Sequence, residues 1–173
     1  MHTFLFRLNA LATFAISTLA ALCAVAAFTD VFHASNPVVN VSLARVERLH
    51  PVPSSGNDEA FLAFKISADL SSLFSWNTKQ LFVWLDASYE TPRNVENHVS
   101  LWDRIITSRE EAVLSLPYVR NKYKLVDQGN YLRNRALNLT MHWNVMPSTG
   151  ALWHGSKTFS GFRLPKRYTN DRN

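Results

Sequence analysis

Residues Leu137 to Val145 read LNLTMHWNV. Leu137, Leu139, Met141, Trp143 and Val145 alternate strictly with Asn138, Thr140, His142 and Asn144. A period of two puts the first set on one side of a β-strand and the second on the other, so this stretch predicts a half-buried strand with one wet face. Pro147 and Gly150 end it.

The same alternation recurs upstream. Val39, Val41 and Leu43 alternate with Asn40, Ser42 and Ala44; Leu62, Phe64, Ile66, Ala68 and Leu70 alternate with Ala63, Lys65, Ser67 and Asp69. Gln80 to Tyr89 (QLFVWLDASY) is apolar on both faces through most of its length, the pattern of a central, covered strand. Val99, Leu101, Asp103 and Ile105 give another strand, Lys122 to Val126 a short one and Phe159 to Leu164 a last one. Turn clusters lie at His50–Asp58, Thr91–Asn94 and Asp127–Asn130, and Asn36-Pro37 opens an extended segment. Ser71 to Asn77 reads as a loop or single helical turn, and Arg109 to Ala112 as one turn of helix. About seven short strands with no long amphipathic helix between them predict an all-β sandwich.

One segment does not fit a sandwich. Leu8 to Thr29, LNALATFAISTLAALCAVAAFT, is uncharged and bounded by Arg7 and Asp30. As a helix its 22 residues span roughly 33 Å, enough to cross a hydrocarbon core of about 30 Å. It reads either as a retained signal anchor or as a cleaved signal peptide ending in the A-x-A form Ala24-Val25-Ala26; its length favours the anchor. With Arg7 before it and Asp30 after it, positive-inside bias keeps the amino terminus in the cytosol. The chain thus divides into a short cytosolic segment 1–7, a transmembrane signal anchor 8–29 and an exported β-sandwich domain 30–173.

The net charge is +5, and Arg7 contributes one of the 18 basic residues, so the exported part carries 17 basic and 13 acidic residues, or +4. These charges are scattered without a dense basic stripe, which disfavours nucleic acid as a partner. Cys23 is the sole cysteine and lies in the apolar segment, so the domain must hold by packing alone, without disulfides. Six histidines show no metal-ligand spacing, and no HExxH, CxxC, G-x-S-x-G or glycine-rich phosphate loop occurs. No catalytic, cofactor-binding or metal residue is therefore assigned.

Aromatic residues are the other conspicuous feature. Phe82 and Trp143 are expected in the core, whereas Trp76, in a loop, suits core or interface equally. Sequons occur at Asn40-Val-Ser42 and Asn138-Leu-Thr140. Asn138 shares the wet face of its strand and is the favoured glycan acceptor. Asn40 follows the anchor by about eleven residues, at most roughly 40 Å of extended chain, and is disfavoured.

Several blocks carry a family resemblance: Arg7-Leu-Asn-Ala-Leu11, Ile66-Ser-Ala-Asp-Leu70, Leu73-Phe-Ser-Trp-Asn-Thr-Lys-Gln-Leu-Phe82, Val99-Ser-Leu-Trp-Asp-Arg-Ile-Ile106, Asn121-Lys-Tyr123, Asp127-Gln-Gly129 and Asn138-Leu-Thr-Met-His-Trp-Asn-Val-Met-Pro147. From Met1 to about Tyr168 the chain resembles subunit 3, the glycoprotein subunit, of the endoplasmic-reticulum signal peptidase complex; Ala151 to Lys157 and the basic tail after Pro165 diverge. The resemblance implies an uncleaved single-pass type II anchor, a lumenal β-sandwich, a glycan at Asn138 and no catalysis by this chain. It implies a separate catalytic subunit as partner, which a rigid tethered sandwich can hold at a fixed height over the bilayer. Ser75, Trp76 and Asn77 are the candidate partner contacts. The alternative is a secreted or membrane-tethered β-sandwich binding module.

Overall fold

The structure, a computed structural model, describes residues 3–169; the first residues of the expected cytosolic segment and the end of the basic tail lie outside them. It opens on helix α1, Phe4–Thr29. Phe4 to Arg7 extend the helix four residues upstream of the expected start, so Arg7 lies within it. None of its residues is buried against the rest of the chain, and large apolar side chains such as Leu11, Phe14, Ile16, Leu19 and Leu22 are exposed around it. An unpartnered helix apolar on every side calls for a surrounding apolar solvent. Its four hydroxyl side chains bond within the helix: Thr13 donates to the Asn9 carbonyl, Ser17 and Thr18 to that of Phe14, and Thr29 to that of Ala26, at 2.7–2.9 Å. No hydroxyl of the helix is thereby left without a partner.

A 3-10 turn, Asp30–Phe32, ends the helix, and eight antiparallel strands follow among the described residues: β1 Val38–Pro51, β2 Asp58–Asp69, β3 Thr78–Tyr89, β4 Asn97–Ile106, β5 Val113–Arg120, β6 Leu125–Val126, β7 Ala136–Pro147 and β8 Trp153–Arg163. One sheet runs β1-β2-β5, with β6 pairing to the start of β2; the other runs β4-β3-β7-β8. Val39, Val41, Leu62, Phe64 and Ile66 from the first sheet meet Leu81, Val83, Leu85, Leu139, Met141 and Trp143 from the second, all buried. This is the expected sandwich, with β3 and β7 as the inner pair of their sheet. β7 carries strict alternation because both its neighbours, β3 and β8, are bonded and one of its faces is dry.

Three differences from the sequence reading have local causes. The missed strand β5 contains Pro117, which has no amide to donate. β5 is an edge strand, and the register slips between Phe64↔Val119 and Ile66↔Leu116, so the proline sits in a bulge. β1 runs on to Pro51 because register shifts after Leu43 and Val46 break its alternation without breaking its pairing. Only Leu125 and Val126 of the expected Lys122–Val126 strand pair, since the amides of Lys122 and Tyr123 both donate to the Leu101 carbonyl in a turn. The helical turns within Ser71–Asn77 and Arg109–Ala112 are 3-10 turns at Ser71–Leu73 and Glu110–Ala112.

Candidate functional site: the junction of helix and sandwich

Of the three candidate partner contacts, two face inward. Asn77 is 2% exposed. Its Nδ2 donates to Asp30 Oδ2 at 2.6 Å and to the Thr149 carbonyl at 2.8 Å, while its Oδ1 accepts the Thr149 amide at 3.3 Å. The half-buried Ser75 donates from Oγ to Asp30 Oδ1 at 3.1 Å. Both carboxylate oxygens of Asp30, the first residue past the helix, are therefore held by the loop between β2 and β3. An amide side chain suits position 77 because it supplies two donors and an acceptor at once. A carboxylate there would oppose Asp30.

Ser75 and Asn77, two of the three expected partner contacts, spend polar groups on the chain's own Asp30 and Thr149. Trp76 between them is 72% exposed and remains free to meet something outside the chain.

Two further contacts fasten the junction. His33 Nε2 lies 2.8 Å from the Ser72 carbonyl, and the Asn36 amide donates to Ser72 Oγ at 3.2 Å. The turn between β7 and β8 then touches the helix itself. Gly150 has φ +112°, and a β-carbon on it would stand 2.9 Å from that of Ala27. Pro147 and Gly150, legible in the sequence as a strand stop, also bring this turn against the last helical turn. A cavity of about 230 Å³ lies in the crook between the helix end and the sandwich, lined by Asp30, His33, Ser75, Trp143, Trp153 and His154 among others.

The opposite pole is closed by a second buried polar cluster. Asp58 and Asp127 are both buried. Asp58 accepts the Leu132 amide at 3.1 Å and the Tyr168 hydroxyl at 2.8 Å; Asp127 accepts the Tyr131 amide at 3.2 Å and the Tyr89 hydroxyl at 3.1 Å. Burial, with the Asp127 carboxylate beside it, pushes the Tyr89 pKa well above the ordinary tyrosine value. The Asp127-Gln-Gly129 block therefore has a structural task, tying the loop after β6 to the start of β2 and the end of β3.

On the outer face of the second sheet Phe82 stacks on Trp84 at 5.3 Å and Trp84 on His142 at 4.9 Å. Asp86 accepts Trp84 Nε1–H at 3.0 Å and Ser100 Oγ–H at 2.5 Å. Phe82 was expected in the core and is instead half-buried outside it. Leu81 and Val83 fill the inward positions of β3, and a period of two leaves Phe82 no other side. Trp143 does lie in the core, where Gly155 on β8 makes room for its indole: a β-carbon there would stand 2.6 Å from Nε1.

Asn138 is exposed on that same outer face, opposite Ser88 and nine residues up β7 from the junction at Pro147. Asn40 is exposed too, at the start of edge strand β1. Burial does not separate the two sequons; their distance from the helix does.

The architecture is that of a β-sandwich fastened to one apolar helix long enough to cross a membrane, Phe4–Phe32. Comparison with known proteins narrows this class. The family model described as "Signal peptidase subunit" matches residues 1–167. The chain is 40% identical over 157 residues to signal peptidase complex subunit 3 of Gallus gallus, covering 88% of this chain and 87% of that protein. It is 38% identical to the Homo sapiens protein of that name over the same shares, and 38% identical to that of Drosophila melanogaster over 88% of each chain. The chain belongs to the signal peptidase subunit family.

Proposed function

We propose that this chain is a non-catalytic subunit of the endoplasmic-reticulum signal peptidase complex, anchored by α1 with its amino terminus in the cytosol and its sandwich in the lumen. Its task is to support the catalytic subunit during removal of signal peptides. The observation that carries this reading is the seizure of both Asp30 carboxylate oxygens by Ser75 and Asn77. A sandwich on a free linker would sample many heights and tilts. One bonded to the first residue past the membrane helix has surrendered that freedom during folding, so it can position a partner without a further ordering cost.

The sandwich then serves as a fixed wall beside the place where an extended substrate leaves the membrane. Signal peptides are cut near the lumenal membrane face, so a support set by the helix end holds the protease at the right level. Arg7 on the cytosolic side agrees with the positive-inside bias. A glycan on Asn138 stands on the outer face, far along β7 from the membrane end.

Purification from membranes in a mild detergent tests this. The catalytic subunit should co-purify with the chain, and the purified chain alone should leave a secretory precursor uncut. Depletion should make uncleaved precursors accumulate. A chain that purifies without that subunit, or that cleaves precursors unaided, contradicts the proposal.

A further inference from the structure

The sandwich has two solvent-exposed tryptophans, and both lie at the helix junction. Trp76 is 72% and Trp153 48% exposed, whereas Trp102 and Trp143 are buried and Trp84 is stacked between Phe82 and His142. Trp76 sits between the two residues that grip Asp30. Trp153 lines the junction cavity with Asp30 and Val31. Two more large apolar side chains join them: Phe32, 73% exposed and packed edge-to-face on Phe28 at 5.2 Å, and Leu152, 63% exposed, two residues past Gly150.

The height of this group follows from Gly150. It rests on Ala27, three residues before Asp30 and so about 4.5 Å further down the helix axis. The turn between β7 and β8 thus reaches below the helix end, to the level of the apolar span. The uncharged run Leu8 to Thr29 makes roughly 33 Å against a hydrocarbon core of about 30 Å, and the Asp30 carboxylate that follows it disfavours hydrocarbon, so the helix end stands at the headgroup boundary. Tryptophan is favoured in that layer, where its ring is half in hydrocarbon and its N–H stays wet.

We propose that Phe32, Trp76, Leu152 and Trp153 form a collar that beds the base of the sandwich in the headgroup layer of the bilayer. This rests on the reading of α1 as a membrane span. The collar gives the sandwich a second hold on the membrane beside the helix. It resists tilting about the junction, because any tilt lifts one side of the collar into water. Trp76 therefore faces lipid, and the wall offered to a protein partner is made by other residues.

The test uses the full chain reconstituted in phosphatidylcholine vesicles whose acyl chains carry bromine, a contact quencher of tryptophan, near the headgroup end or near the tail end. Headgroup-end bromine should quench the emission strongly and tail-end bromine weakly. The double variant Trp76→Phe, Trp153→Phe should lose most of that quenching while Trp84, Trp102 and Trp143 still emit. Both replacements are at exposed positions and leave the core intact; unchanged circular dichroism checks this. Alkaline carbonate treatment of the same vesicles separates the two ideas. A chain retained by the vesicles but unquenched, or quenched equally in the double variant, overturns the collar and leaves the span standing. A chain extracted by carbonate overturns both. Quenching of Trp76 by aqueous acrylamide alone also overturns the collar and points to a protein occupant.

Discussion

Gly150 rests on Ala27, so closely that a β-carbon on Gly150 would come within 2.9 Å of the alanine methyl. Backbone strain and contact both oppose a side chain there. Gly150→Ala should destabilise the full chain by about 1–3 kcal/mol and lower its melting temperature in detergent. Gly161, at φ +93° with nothing within 4 Å, is the control, since alanine there meets the strain without the contact. Paired melts should show the larger loss at position 150. Equal losses would mean that the turn does not bear on the helix.

Asn77 joins the helix end to the β7–β8 turn. Asn77→Ala removes its bonds to Thr149, each worth about 0.5–1.5 kcal/mol net, and its bond to the Asp30 carboxylate, worth about 1.5–3 kcal/mol. The Thr149 amide should then exchange with deuterium faster, while core amides of β3 and β7 keep their protection. Asn77→Asp should loosen the turn further, because it sets a second carboxylate where Asp30 now finds a donor. A Thr149 amide exchanging equally in all three proteins would rule out the proposed clasp.

Tyr89 gives the fold a dependence on alkali. Its pKa is raised by burial and then by Asp127 from an ordinary value of 10.0, so the folded state holds that proton more tightly than the unfolded chain does. The resulting stabilisation is complete below the ordinary value and fades as pH rises above it. Tyr168, raised by burial and by Asp58, acts in the same direction. Denaturant titrations should show a steep loss of stability above about pH 10 in the native chain. Tyr89→Phe should be less stable near neutrality, having left Asp127 a donor short, yet fall less steeply in alkali. Parallel pH curves for the two proteins would refute this.

On the acid side, the Asp103 carboxyl lies below its usual range because Lys122 donates to it, and that of Glu47 because Tyr118 does. Their contribution is present above the ordinary carboxyl range and fades as pH falls through the lowered values. Both sites are on the surface, so each effect should be small and should shrink in high salt.

Asn138 should carry the glycan. Glycosidase treatment should raise gel mobility by one step, and Thr140→Ala should abolish that step, whereas Ser42→Ala should not. A chain lacking sugar at Asn138 when made in a secretory background would contradict the lumenal placement of the sandwich.

The regular parts of this molecule were legible because they repeat. Strict alternation over Leu137–Val145 placed β7 to within two residues, and an uncharged run revealed α1. The failures fall where one residue does two jobs. Pro117 reads as a strand breaker until its edge position is known, and bulges in β1 hide six paired residues from any rule of alternation. At the junction, Ser75-Trp-Asn77 could be recognised as a distinct block, but not that Asn77 turns inward and Trp76 outward. That assignment depends on Asp30 and Thr149, distant in sequence by 47 and 72 residues. Leu152 and Trp153 lie outside the blocks that carry the family resemblance, and the fold alone marks them: Trp153 shares the junction cavity with Asp30, and Leu152 follows Gly150, which rests on Ala27.

A sandwich locked to the membrane helix should support signal-peptide cleavage, and one released from it should not. Cells depleted of this chain can be supplied with the native protein or with an unlocked one carrying Asp30→Ala, Ser75→Ala and Asn77→Ala, and a pulse-labelled secretory precursor followed. Both proteins should remain in the membrane after carbonate washing. The native chain should restore cleavage, and the unlocked chain should leave most of the precursor uncut. Full cleavage with the unlocked chain, or in cells with no chain at all, would contradict the account.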